Sequence, residues 1–301
     1  MVSQQKHAPR VDRRSVEAVR ALHLGLVLIV GACNVHSPAS TGDASNQQTA
    51  DASTNHGDAG RDGTTAADAP MQPIAILEGV DRAGAFSTTE AAYLKTTYNV
   101  MWTGVYIGGA CSAGSGWSKS VLTALNASTG WSFLPIWVGQ QASSICGRDT
   151  LTAAQGTTDG AATAAEMQVY GWAPDLDIPV VLDLEGGTYS ASASEAQAYA
   201  QAWRDAVQAG GYLAYLYSSS TAIDAFDDAG VAFDGVWPAD WLYTAFDSNA
   251  TPADVTTLGS RYPGQTRAWQ YAGNVTTSGA GGVDSDVSDL LLAPAPGGTN
   301  K

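Results

Sequence analysis

The sequence predicts an α/β protein folded as a small (β/α)8 TIM-type barrel with reduced C-terminal helices. Three observations carry that prediction. Beyond residue 72, strand-like apolar runs alternate with helix-like stretches, which implies a parallel sheet under helical cover. Eight candidate strands fall within about 220 residues, at the small end of the barrel size range. No Gly-x-Gly-x-x-Gly follows the first strand, which counts against a dinucleotide-binding open sheet, the main alternative.

Taken in order, Ile74 to Asp81 reads as the first strand. Ser87-Thr88-Thr89-Glu90 then has the spacing of a capping box, opening a helix that runs through Tyr98. Val100 to Ile107 is the second strand, ended by Gly108-Gly109, and Ser118 to about Thr129 the second helix. Ser132 to Val138 is strand three, followed by an Ala-rich helix over Asp159 to Tyr170. Pro179 and Gly186-Gly187 bound the fourth strand, Val180-Val181-Leu182-Asp183-Leu184-Glu185. Ser192 to Ala209 is the longest expected helix, and Tyr212 to Ser218 strand five. The last strands are expected near Trp241–Phe246, Arg267–Tyr271 and Val283–Val287.

The residues ahead of this domain have a different character. Lys6, Arg10, Arg13, Arg14 and Arg20 precede an apolar run, Leu22 to Val30, that is short for a membrane span and fits a signal peptide over residues 1–32. The run ends Val30-Gly31-Ala32-Cys33, which resembles a bacterial lipobox and predicts lipidation of Cys33. Asn34 after it favours the outer membrane over inner-membrane retention. Residues 33–72 contain no aromatic side chain and are dominated by Ser, Thr, Asp, Ala, Gly and Asn, so they predict a disordered tether. The barrel is assigned to residues 73–294, with a flexible tail over 295–301.

Charge narrows the partners. The chain carries 14 basic and 29 acidic residues, a net −15. Without the five basic and two acidic residues of the leader, nine basic and 27 acidic remain, a net −18. Such a surface repels nucleic acid. The expected membrane contact is therefore the lipid at Cys33, and the chain is expected to act as a monomer.

The cysteines and histidines narrow the chemistry. With Cys33 assigned to lipid, Cys111 and Cys146 remain to pair in an oxidising compartment, on loops after neighbouring strands. Closing that loop contributes about 3–4 kcal/mol in the chain-entropy account. All four histidines, His7, His23, His36 and His56, precede the folded region. A Ser-His-Asp triad, a Cys-His pair and a histidine zinc site are thereby excluded from the domain, and neither metal nor cofactor is expected.

Hydrolytic chemistry would then rest on carboxylates. Barrel active sites lie at the carboxyl ends of the strands, and Asp81, Asp183, Glu185, Asp284 and Asp286 are assigned to that rim. Asp183 and Glu185, spaced i, i+2, share one face of their strand with Cα atoms about 6–7 Å apart, while Leu182 and Leu184 face the other way. Repulsion and partial burial raise one of the two pKa values, and Glu185 is the expected proton donor. Tyr106, Trp137, Tyr217, Tyr243, Trp269 and Tyr271 fall near the same rim, where flat rings suit the C–H face of a sugar. Aromatics of this kind also serve as core.

The ordered set Gly79-Val80-Asp81, Val105-Tyr106-Ile107-Gly108-Gly109, Leu134-Pro135-Ile136-Trp137-Val138-Gly139-Gln140-Gln141, Leu182-Asp183-Leu184-Glu185, Tyr217-Ser218-Ser219 and Trp269-Gln270-Tyr271 with Val283-Asp284 resembles the bacterial glycoside-hydrolase-like domain of unknown function. That family is distantly related to the family-25 muramidases, and the similarity covers about residues 74–291. The resemblance implies Glu185 as general acid and Asp183 as the residue that orients or stabilises the reacting sugar. It implies Asp81 and Asp284 as substrate-binding acids that support positive charge in the transition state. Tyr106, Trp137, Tyr217, Trp269 and Tyr271 are expected to line the substrate cleft. Two departures stand out. Arg82-Ala83-Gly84-Ala85-Phe86 replaces the Ser-x-Trp-Gln-like segment that follows the strand-one Asp in family-25 enzymes, and Asp286 stands where Asn is common. Two functions follow: an envelope-tethered glycoside hydrolase acting on a β-linked amino-sugar glycan such as peptidoglycan, or a non-catalytic glycan-binding lipoprotein on the same barrel.

Overall fold

A computed structural model describes residues 76–112, 115–141, 151–185, 193–247, 249–251, 262 and 266–298. Cys33, the leader and the tether lie outside the described residues, as does Cys146.

Six strands each start a unit that runs the same way: β1 (Leu77–Asp81), β2 (Trp102–Gly109), β3 (Ser132–Val138), β4 (Pro179–Asp183), β5 (Leu213–Ser218) and β6 (Gly235–Pro238). Between them lie α1 (Thr88–Tyr98), α2 (Lys119–Thr129), α3 (Ala153–Tyr170), α4 (Ser194–Ala209) and α5 (Ser220–Asp228). The chain closes with β7 (Ala268–Thr277) and β8 (Gly281–Ser288).

Local chemistry sets the helix ends. Ser87 Oγ accepts the Glu90 N–H at 3.2 Å and Glu90 Oε2 accepts the Ser87 N–H at 2.8 Å, the reciprocal capping box that the sequence predicts. Asn99 in the left-handed region, at φ 58°, ends α1. The Ala-rich helix starts at Ala153, six residues before its expected start, because Thr152 caps it by accepting the Gln155 N–H. It is longer than α4, the reverse of the expected ranking.

The strand order is β6-β5-β4-β3-β2-β1-β8-β7, and parallel bridges Val236–Arg267 and Ala239–Gln270 join β6 to β7, so the sheet nearly closes into a barrel. Here the expected (β/α)8 pattern is corrected. β7 and β8 form an antiparallel hairpin with three residues between them, too few for the crossover that a parallel pair needs. β8 therefore runs against both of its neighbours, β7 and β1. A second correction concerns strand six. The aromatic run Trp241–Phe246 is irregular chain, tied to β7 by the Tyr243 N–H on the Tyr271 carbonyl, and the strand is the four-residue Gly235–Pro238. Four residues are too short to show a periodicity.

Alternation along the strands divides the residues between two apolar layers. Val80, Val105, Ile107, Phe133, Val180, Leu182 and Leu184 face outward and pack under the helices with Leu94, Leu122, Trp131, Met167, Tyr199 and Trp203. Trp102, Leu134, Ile136, Val181, Tyr215, Trp237 and Ala268 fill the barrel, with Leu290 and Leu292. The segment after β8 folds back across the strand starts: Phe133 and Ala293 exchange backbone hydrogen bonds of 2.9 and 2.8 Å. Gly297, inside the expected flexible tail, donates to the Gly171 carbonyl at 2.9 Å.

Candidate active site

The inward-facing positions change character toward the carboxyl ends of the parallel strands, from apolar to acidic. Asp81 ends β1 and Asp183 ends β4, both buried. Glu185 follows two residues later and is exposed. On β8, Asp284 lies opposite Asp81 and Asp286 opposite Gly79. Because β8 descends from the rim, its first half meets the last residues of β1. The reversed strand thus delivers these two acids to the rim at which β1 and β4 end.

Asp81 is held by two neutral donors. Tyr106 Oη donates to its Oδ1 at 2.8 Å and Gln270 Nε2 to its Oδ2 at 2.8 Å. A Cβ on Gly104 would stand 2.7 Å from the Asp81 Cβ, so the neighbouring strand leaves the acid its room only by having glycine there. Gln270 Oε1 accepts from Tyr217 Oη at 2.9 Å and from Trp241 Nε1 at 2.8 Å. The side-chain amide of Gln270 thereby joins β1, β5 and the chain after β6 across the barrel mouth.

The Asp-x-Glu pair has its own clamp. Gln141 Nε2 donates to the Asp183 carbonyl at 2.8 Å and to its Oδ1 at 3.3 Å, while Gln141 Oε1 accepts the Glu185 N–H at 2.9 Å. Gln140, next to it, is anchored in the outer layer. Its Nε2 donates to Asp159 Oδ2 at 3.0 Å, and Tyr199 Oη donates to the same oxygen at 2.8 Å. The Gln141 N–H meets the Cys111 sulfur at 3.4 Å, so the ends of β2 and β3 share this rim.

Electrostatics follow from crowding acids where water is scarce. Burial, then the negative charge of Asp284, pushes Asp81 up to about 7. Burial raises Asp183 well above the carboxylate range, with Glu185 and then Asp81 adding to it. Glu185 and Asp284 are also raised by desolvation, Glu185 further by Asp284. The expected rise at Glu185 is present, and the rise at its neighbour Asp183 is the stronger because that side chain is buried. Asp286 is raised by burial, then by Asp81 and Asp284. Its Oδ1 accepts from Trp237 Nε1 at 3.1 Å, while no N–H or O–H donor among the described residues reaches Oδ2. The Asp81 carboxyl is its acidic neighbour, and that charge adds to the burial that raises Asp286. An Asn at this position would offer an N–H toward the same neighbour.

Five expected site residues meet here: Asp81, Asp183, Glu185, Asp284 and, through its hydrogen bond to Asp81, Tyr106. Tyr217 joins them through Gln270. Trp137, Trp269 and Tyr271 do not. They sit one residue out of phase, on the outward face, buried in the outer apolar layer. Tyr271 Oη donates there to the Glu78 carboxylate. These three are core, and their expected role in the cleft is corrected accordingly. Gln270, Gln141 and Trp241 are site residues that the sequence reading left out. Gln270 had a signal, as the one polar residue between two aromatics on a strand. Among the described residues no group of three or more His, Cys, Asp or Glu is arranged to hold a metal ion.

Arg82, the departure in the first loop, turns away from the acids. Its guanidinium pairs with Glu90 at 2.9 Å, donates to the Ala280 carbonyl at 2.6 Å and lies 4.0 Å from the centre of the Phe86 ring. It staples the loop to α1 and to the β7–β8 turn, and leaves the acid cluster without that counter-charge.

No curated protein matches the chain in sequence. An uncharacterized protein of B. stearothermophilus shares the fold at TM-score 0.52 and 18% identity, over 70% of this chain and 95% of that one. The modular autolysin LytC of Streptococcus pneumoniae shares it at TM-score 0.50 and 15% identity, over 70% of this chain and 46% of LytC. LytC in complex with a synthetic peptidoglycan ligand gives TM-score 0.50, 14% identity and the same coverage. The match therefore spans under half of that autolysin. At the sequence level, residues 94–289 match the Rv2525c-like, glycoside hydrolase-like domain, and the chain belongs to that family.

Proposed function

We propose that this domain is a carboxylate glycoside hydrolase acting on a β-linked amino-sugar glycan, with peptidoglycan as the substrate class. The observation that carries the proposal is the convergence of five acids at one rim, on β1, at and just past the end of β4, and on β8, with Glu185 the most exposed of them, Asp284 half-buried and the other three buried. An accessible carboxyl with a raised pKa is suited to protonate a glycosidic oxygen. In the proposed reaction Glu185 gives its proton to the leaving oxygen as the bond from that oxygen to the anomeric carbon breaks. Water then adds to the anomeric carbon and returns a proton to a carboxylate. Asp183, buried and clamped by Gln141, orients the reacting sugar. Asp81 and Asp284 face the developing positive charge. LytC, which shares the fold, has been captured with a synthetic peptidoglycan ligand.

The second reading is glycan binding without turnover. Arg82 in the altered first loop is committed to Glu90 and to the Ala280 carbonyl rather than to the acid cluster, so the loop leaves that cluster free for either reading. Incubating the domain with purified sacculi separates the two: hydrolysis gives new reducing ends that Glu185→Gln does not, whereas binding alone gives sedimentation with sacculi and no new ends.

The envelope setting is part of the same proposal. Cys33 carries lipid after removal of residues 1–32, residues 34–72 hold the domain off an outer membrane, and Cys111 pairs with Cys146 beside the rim. The enzyme works as a monomer on its glycan. Metabolic labelling with a palmitate analogue tests the anchor, and an unlabelled wild-type chain contradicts it.

A further inference from the structure

We infer that Trp241 is a sugar-stacking platform at the mouth of the barrel, taking a pyranose ring of the glycan by its C–H face beside the acids. The inference rests on the glycan function proposed above and adds a binding residue to it. Trp241 is 57% exposed, whereas six other tryptophans are among the largest fully buried side chains. Leaving an indole in water forgoes the stabilisation that its burial would contribute. This indole is nevertheless fixed at two places. Its Nε1 donates to Gln270 Oε1 at 2.8 Å, and the same amide donates through Nε2 to Asp81 Oδ2 at 2.8 Å. One side chain thus separates the ring from the acid cluster.

The second fixing point is Gly273 on β7. A Cβ built there would lie 2.5 Å from Cε2 and Cζ2 of Trp241 and 2.8 Å from Cδ2. Three ring atoms at nearly equal distance mean that the Cα–Cβ direction meets the plane of the indole, so one face lies over the glycine backbone. Any larger residue would lift it. With that face covered and the N–H bonded, the surface left to solvent is the opposite face.

A rigid flat apolar face, with carboxylates one residue away, is complementary to a neutral pyranose. The sugar's axial hydrogens make one side apolar while its hydroxyls stay free to donate to the acids. Because the ring is already immobilised, little side-chain entropy is lost on binding. A protein partner fits less well. The large exposed hydrophobics among the described residues are Ile76, Val169, Trp241, Leu242 and Leu291, and only Trp241 and Leu242 adjoin in sequence. Two side chains fall short of the buried core of a protein interface.

The test measures sedimentation with purified sacculi, and the rate of reducing-end release as sacculi are varied, for wild type, Trp241→Ala and Trp241→Phe. Val169→Ala, on the outward helix α3, serves as control. We expect Trp241→Ala to weaken binding and raise the half-saturating concentration about tenfold, with the maximal rate within about twofold of wild type. Trp241→Phe keeps a flat ring and loses the N–H, and should cost about threefold in half-saturation. Unchanged binding and half-saturation in both variants, with hydrolysis retained, overturns the platform and leaves the hydrolase standing. A lowered maximal rate at unchanged half-saturation also overturns it, and assigns Trp241 to holding Gln270. A wild-type domain that neither binds nor cleaves sacculi overturns the platform and the proposed function together.

Discussion

The two faces of this barrel wall are made from neighbouring residues and do opposite work. On β7, Trp269 and Tyr271 face outward and are fully buried, with Tyr243 packed against both rings, while Gln270 between them faces inward and bonds Asp81, Tyr217 and Trp241. At the end of β4 and just past it, Leu182 and Leu184 lie in the outer layer, while Asp183 and Glu185 belong to the acid cluster. A shift of one residue in register would exchange the two sets. At this rim, packing is therefore concentrated outside and chemistry inside, and mutations on the two faces there should separate accordingly.

The largest effect on stability is expected outside. Trp269→Ala removes a buried indole and should cost about 3–5 kcal/mol in denaturant unfolding, leaving the activity per folded molecule unchanged. If stability fell by less than 1 kcal/mol while activity disappeared, Trp269 would belong to the cleft after all. Gln141→Ala acts on the inner face. It leaves the Asp183 carboxyl and the Glu185 N–H without their shared partner, and should lower the maximal hydrolytic rate about 10- to 100-fold at a stability cost of about 1–3 kcal/mol. An unchanged rate would remove Gln141 from the positioning of the acids.

Titration gives an effect that both faces share. Folding raises Asp81 from 3.8 to about 7 and, on the outer face, Glu78 from 4.5 to about 8, each mainly by burial. The folded state therefore binds protons that the unfolded state has released, and stability falls as pH rises from about 4 to about 8. The melting temperature should be higher at pH 5 than at pH 8, and the opposite order would contradict these buried acids. Asp286→Asn is the mildest change. It supplies an N–H toward Asp81 with no proton to lose, so it should add about 1–2 kcal/mol at pH 8 and flatten the decline.

The same alternation explains how much was legible in the sequence. The Asp-x-Glu spacing placed Asp183 and Glu185 on one face because a strand has period two, and the capping box at Ser87 and Glu90 is likewise a local signal. The acids of β8 reach the expected rim for a reason outside local sequence. Asp284 lies near the start of its strand, and a parallel eighth strand would have carried it toward the opposite end of the barrel. Only the three-residue turn before Gly281, which reverses β8, brings it to Asp81. Trp137, Trp269 and Tyr271 lie near the rim in sequence, but parity decides which way a strand residue faces, and it turns these three outward. Trp241 was hidden because its position depends on Gln270 and Gly273, 29 and 32 residues further along the chain.

The central claim is that the inward acids form a hydrolytic site and that Glu185 is its proton donor. The most direct measurement is the initial rate of reducing-end release from purified sacculi by wild type and Glu185→Gln, both verified as folded by their melting temperatures. The account predicts a wild-type rate above the no-enzyme background and a loss of about 1,000-fold in Glu185→Gln with little change in melting temperature. Equal rates in the two proteins would contradict it.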